Sequence, residues 1–279
     1  MKSLVRLTVV LGIILIVSQL LVQAELSVLA DGTATDGANL RFVHTSPDAP
    51  SADVYIDNDR YFANVAFGSV SNYVRLTSGN HLIRVLPAGS APNTPPVKEV
   101  QLSFDNDRFY TLVAVDRLAQ LELLRIEDNN SPTAQDKARV SFTHTSPGAP
   151  NVDICVVGHN SCFITNLTFK ASNIADFDAG AYNIDIRPAG TPNVIVNIPN
   201  TNFQDGTAYA YYIVGLVNGE PRVRVINASF KTRGAIGHPP PRPPGTGAIL
   251  APEVAFGLGT VLLLIGGMVW GVRRYTYNY

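Results

Sequence analysis

The chain has 279 residues, enough for one large or two ordinary domains, and carries 21 basic against 22 acidic side chains for a formal charge of −1. That balance provides neither the basic stripe that nucleic acid requires nor a long acidic tail. Charged residues make up only 15% of the chain, while Gly, Pro, Tyr, Val and Thr are plentiful, a mix that suits short strands and tight turns better than helices.

In chain order, Met1–Ala24 has the layout of a secretory signal peptide. Lys2 and Arg6 form its positive start, Leu7–Val17 its apolar centre, and Val22-Gln23-Ala24 its small-residue cleavage pattern. Without this segment, 19 basic side chains face 22 acidic ones, a formal −3. An uncleaved N-terminal anchor is the competing reading, disfavoured by the shortness of the apolar run. Residues 25–37, polar and rich in Gly, Asp and Thr, read as a flexible segment.

Two phrases then occur twice. His44-Thr45-Ser46-Pro47-Asp48-Ala49-Pro50 returns as His144-Thr145-Ser146-Pro147-Gly148-Ala149-Pro150, and Leu86-Pro87-Ala88-Gly89 is echoed by Arg187-Pro188-Ala189-Gly190. Landmarks repeated at nearly one offset mean two copies of one folding unit. Strands are expected at Leu40–Thr45 and Val140–Thr145, at Ala52–Asp57 and Val152–Val157, and at His81–Leu86 and Tyr182–Arg187, the last pair with period-2 alternation. Phe109–Val115 and Tyr209–Val217 are near-continuous apolar runs that fit central strands. Leu121–Ile126 and Arg222–Ile226 close each copy, with turns at Gly79-Asn80, Asp105-Asn106-Asp107 and Asn218-Gly219. Seven or eight short strands per copy predict an all-β protein of two tandem antiparallel, Ig-like β-sandwiches over residues 38–130 and 137–230. The connector Asp128–Lys137 is short and polar and leaves room for a hinge.

The pattern His-Thr-Ser-Pro-x-Ala-Pro-x-x-Asp with a later Pro-Ala-Gly resembles the DUF4397 domain of bacterial secreted and surface proteins. The resemblance spans both copies, about two thirds of the chain. It implies an extracellular β-rich domain, often in tandem, of uncharacterised function, and it brings no catalytic residues with it. In a bacterial protein the sequons at Asn129, Asn166 and Asn227 are incidental.

Several residue sets in the copies could carry chemistry. His44 with Asp53, and His144 with Asp153, have the types of a general base or metal pair. The favoured reading is structural: the Ser-Pro-x-Ala-Pro connection needs its backbone polar groups satisfied, and an imidazole or carboxylate at a strand end can do that. The repeat motif is therefore taken as His44, Ser46, Pro47, Pro50 and Asp53 with His144, Ser146, Pro147, Pro150 and Asp153. A hydrolase using His44 with Ser46, or His144 with Ser146, is disfavoured because Pro47 interrupts the strand, Gly148 replaces Asp48, and no nucleophile elbow is present. Asp53, Asp57 and Asp59 could gather oxygens for calcium, but the second copy keeps only Asp153, so no metal or cofactor is expected. Cys155 and Cys162, with six residues between them across a hairpin, are expected to form a disulfide outside the cell; zinc lacks a fourth ligand beside His159.

Residues 231–253 form a proline-rich linker, in which His238–Gly245 reads as an extended rod. Val254–Val272 is free of charge and, at about 1.5 Å per residue, spans roughly 28 Å as a helix. Arg273 and Arg274 place the tail 273–279 in the cytoplasm. A retained anchor is favoured over a processed sorting signal, since neither LPxTG nor Pro-Glu-Pro is present. The whole reads as a single-pass membrane protein, not an enzyme, displaying two modules outside the cell for structure or interaction. Its expected partners are the membrane, through the C-terminal helix, and an envelope polysaccharide or another surface protein. The alternative is a carbohydrate- or matrix-binding module using exposed Tyr55, Tyr61 and Tyr73.

Overall fold

Among the described residues sixteen strands come as two sets of eight with the same order of pairing. The computed structural model describes residues 37–159 and 161–233. In the first copy the strands are β1 (Ala38–His44), β2 (Ala52–Ile56), β3 (Asp59–Val65), β4 (Val74–Leu76), β5 (Gly79–Pro87), β6 (Lys98–Phe104), β7 (Phe109–Val115) and β8 (Glu122–Glu127). In the second they are β9 (Lys137–His144), β10 (Val152–Val156), β11 (Cys162–Leu167), β12 (Ser172–Asp178), β13 (Gly180–Pro188), β14 (Val196–Phe203), β15 (Thr207–Val214) and β16 (Arg224–Lys231). Each copy folds into two four-stranded sheets, ordered β4-β1-β7-β8 and β3-β2-β5-β6 in the first, β12-β9-β15-β16 and β11-β10-β13-β14 in the second.

Alternation explains the faces. Leu40 and Phe42 of β1 and Tyr110, Leu112 and Ala114 of β7 meet Val54, Ile56, Ile83 and Val85 from β2 and β5 in one apolar core. Phe142, Tyr211 and Ile213 meet Ile154, Ile184 and Ile186 in the other. The sandwiches are not wholly antiparallel, as the sequence led us to expect. β1 runs parallel to β7, and β9 to β15. Alternation is blind to strand direction; five strands intervene between β1 and β7, ample chain for the crossover that a parallel pair requires. The apolar runs of β7 and β15 have a further cause. Their outward residues Val113, Val115, Ala210, Tyr212 and Val214 form a third buried cluster with Val43, in which the β1-β7-β8 sheet packs on the β9-β15-β16 sheet. Four sheets therefore stack, and both copies belong to one compact unit.

This stacking corrects the expected hinge. Asp128, the first residue of the connector, is buried, Thr133 is buried too, and the Asn130 carbonyl accepts a bond from Arg233 N. The expected boundary at 230 falls within β16, which runs to Lys231. The signal peptide, most of the entry segment, the linker beyond Arg233, the predicted membrane helix and the tail lie outside the described residues. Among the described residues no helix is long and apolar enough to cross a membrane.

Candidate functional site

The repeated phrase ties off one end of each sandwich. The His44 imidazole is buried, and its Nε2 donates to the Pro50 carbonyl at 2.9 Å, closing the loop that joins β1 to β2. His144 does the same to Pro150 at 3.0 Å. Thr45 and Thr145 donate through both backbone N–H and hydroxyl to the carbonyls of Ala114 and Ile213, stitching the loop to β7 and β15. With Nε2 carrying the proton, Nδ1 is an acceptor, and Ser146 N donates to that atom of His144 at 3.3 Å. Burial holds both imidazoles below the ordinary histidine range, opposed by the bonds to the proline carbonyls.

Asp53 works at the other side of the loop. The β2–β3 pairing slips by one residue between Ala52 and Val54, a bulge that leaves Asn64 at φ 49° with its N–H outside the ladder. Asp53 Oδ1 accepts that N–H at 2.7 Å, and its Oδ2 accepts Gly89 N at 3.1 Å and Arg60 at 3.2 Å. Asp153 repeats this with Asn166 N at 2.7 Å and Gly190 N at 2.8 Å. One carboxylate thus joins the bulge to the Pro-Ala-Gly turn, which is why the two phrases recur together. Burial alone would raise Asp53, but the bonds from Asn64, Gly89 and Arg60 outweigh it and hold the carboxyl below its usual range.

The structure does not assemble these residues into a reaction centre. Neither imidazole bonds the aspartate of its own copy. Ser46 and Ser146 are fully buried, Pro47 and Pro147 are buried beside them, and the Ser146 hydroxyl is given to the Gly215 carbonyl at 2.6 Å. Asp48 instead accepts from Leu118 N at the start of a short 3-10 turn. Asp57 is committed to Leu82 N and His81, away from the partners of Asp53, and no group of three metal-binding side chains occurs among the described residues. Cys155 and Cys162 sit directly opposite in β10 and β11 and are joined as a disulfide. Tyr55 and Tyr73 do not have the exposure expected of a sugar platform. Tyr55 is buried at 5% exposure, Tyr73 is bonded to Asp128, and Tyr61 packs against the first core.

The residues that sequence reasoning missed lie between the copies. Arg41, 2% exposed, donates through Nε to Thr111 at 2.7 Å and pairs with Asp128 at 3.2 Å. Asp128 also accepts Thr111 at 2.6 Å and Tyr73 at 2.8 Å. The guanidinium lies 4.7 Å from the Tyr73 ring and 5.3 Å from that of Phe230 of the second copy. Burial pushes Asp128 up, with Arg41 and the two hydroxyls pulling it back, and burial carries the Tyr212 phenol to about 12. In the second copy the residues in register with Arg41 and Thr111 are Ser141 and Ala210. The one signal in the sequence was an arginine set between Leu40 and Phe42 in β1.

The copies meet through equivalent faces, so contacts come in pairs. Lys170 reaches Asp116 and Glu122 of the first copy, each at 3.0 Å. At the matching corner Gly68 faces Arg224, which lies 5.3 Å from the Phe67 ring. Gly68 and Lys170 occupy one place in the repeat, as do Glu122 and Arg224. A side chain at Gly68, where φ is 80°, would run into the Arg224 guanidinium.

Residues 38–155 match the model of a domain of unknown function, DUF4397. Over this stretch the chain is similar to the DUF4397 family. The DUF4397 match covers the first copy and ends inside β10, so the second copy is recognised by its own repeat of the motif. No curated relative matches the chain. Among solved structures the chain is similar to a candidate cell adhesion protein from Bacteroides uniformis, at 10% identity over 70% of this chain and 98% of that one, with a TM-score of 0.23. A similar candidate from Bacteroides ovatus gives 10%, 70%, 97% and 0.23, and the TIE protein of Bacillus anthracis 10%, 70%, 44% and 0.22. At these scores neither the fold nor the role of those proteins is carried over to this chain.

Proposed function

We propose that this chain is an extracellular structural and interaction protein that presents its two DUF4397-like modules as one rigid block on a membrane anchor. The observation that carries this reading is the buried contact between the copies, an apolar cluster beside which the first copy's Arg41–Asp128 pair lies against Phe230 of the second and which the Lys170 ion pairs flank. A hinged pair of binding domains would leave that face wet and free of a buried charge; a display unit benefits from fixing it. Burial of Ser46 and Ser146 and the commitment of both imidazoles to proline carbonyls favour a non-enzymatic role. Export and anchoring are inferred from Met1–Ala24, Val254–Val272 and the Arg273-Arg274 pair.

Protease added to intact cells is expected to remove the two modules and leave a small membrane-bound C-terminal fragment. Recovery of the full chain from intact cells, with cleavage only after lysis, would overturn the assignment.

A further inference from the structure

The two copies differ most in use at one end of the sandwich. In the first copy His81 is buried there. It bonds Asp57 through Nδ1 at 2.5 Å and the Thr77 carbonyl through Nε2 at 2.9 Å, plugging the space between the β2–β3 hairpin and the end of β4. Strand register puts Tyr182 in the place of His81, Phe163 in that of Tyr61, and Phe177 in that of Leu76. Asp176 and Asp178 replace Arg75 and Thr77. Val157 takes the place of Asp57, so the plugging bond cannot form. A cleft of about 260 Å³ opens, just below the ~300 Å³ at which small-molecule sites begin.

Its chemistry is specific. Phe163, Phe177 and Tyr182 line it, the first two ring centroids 4.5 Å apart and edge to face. The polar groups are Asp176, Asp178, His159 and Ser161. The cleft carries no unbalanced charge to attract an ion. Asp178 is paired to Lys137 at 2.7 Å and Asp176 to Arg139 at 3.0 Å. Each pair still leaves exposed donors and acceptors, because a carboxylate has more acceptor positions than one cation fills. One wall is the hairpin that Cys155–Cys162 crosslinks; the first copy has Tyr55 and Arg60 there instead. A crosslinked wall reduces the ordering cost of binding.

We infer that this cleft of the second copy binds a neutral, hydroxyl-rich ring, a pyranose of a surface polysaccharide. Aromatic walls take the apolar C–H face of such a ring, and carboxylates and imidazole take its hydroxyls. The inference rests on the reading of the chain as an interaction protein and gives that role a ligand class.

The test is saturation-transfer NMR on the full chain, with methyl glucoside, methyl galactoside and N-acetylglucosamine as neutral probes and ethylammonium as a cationic one. At least one pyranose is expected to saturate in the millimolar range. Tyr182→His, the residue of the first copy, and Asp178→Asn, an exposed change that cannot unfold the protein, should each weaken it about tenfold or more. Tyr61→Ala in the first copy should leave it unchanged. Absence of saturation with all three sugars, saturation that both second-copy variants leave intact, or preference for ethylammonium would overturn the inference. Protease accessibility on cells does not depend on these titrations, so a negative result here leaves the surface assignment standing.

Discussion

His44 and His144 are buried neutral side chains, each with one nitrogen given to a proline carbonyl. Burial lowers both below the 6.5 of free imidazole, with the carbonyl bonds in opposition. The unfolded chain therefore takes up protons first, and stability is complete above about pH 6.5 and falls as the pH drops towards the folded-state values. We expect the melting temperature of the full chain to decline as the pH falls below about 6.5. Replacing both residues by glutamine, which keeps an N–H for the carbonyl but cannot titrate, should flatten that decline. An equal slope in the double variant would show that other groups carry it. The Asp53 carboxylate behaves differently, because its charged form is what the Asn64 N–H and the Gly89 N–H bond to. The repetition of the motif was legible in the sequence, but its wiring was not. No periodicity announces that Asp53 reaches forward to Asn64 and Gly89, since the bulge that frees Asn64 N–H exists only once β3 is paired.

Among the elements, strands with clean alternation or long apolar runs could be read in advance: β2, β5, β7 and their counterparts. β3, β4 and β6 could not. In β3 only Phe62 and Val65 are buried, and the bulge between them breaks the period; β4 has three residues; β6 is an edge strand whose charged residues mask Val100 and Leu102. The outward face of β1 and β7 hid its purpose differently. Val43, Val113 and Val115 look like a second core face, which they are, but the sequence does not say that the other copy covers them. Arg41 on that face is stabilised only by its buried partners. Removing one member of a buried ion pair strands the other charge, at a cost of about 3–5 kcal/mol, whereas replacing both by apolar groups is often nearly neutral. Arg41→Met should therefore destabilise the full chain by about that amount in denaturant titrations, and adding Asp128→Leu should recover much of it. If single and double variants lose equal stability, the pair is not coupled and the clamp is misassigned.

At the scale of the whole molecule, the two copies stop being separable. Each sandwich has its own core, yet the central strands that meet between them, β7 and β15, are buried on both faces, so releasing one copy would expose Val43, Val113, Val115, Tyr212 and Val214 together with the charges of Arg41 and Asp128. Burying each such apolar side chain is worth about 1.5–3 kcal/mol. A half-unfolded state thus costs several kcal/mol beyond the intrinsic stability of the copy that remains, and the two should unfold as one cooperative unit. Calorimetry of the full chain is expected to show a single transition for the sheet region, with equal van't Hoff and calorimetric enthalpies. Val113→Asp would bury an unpaired carboxylate in the contact and should split that transition into two, each near the stability of a lone copy. Two resolved transitions in the unmodified chain would mean that the contact between the copies is too weak to couple them, and the rigid block would reduce to two tethered beads.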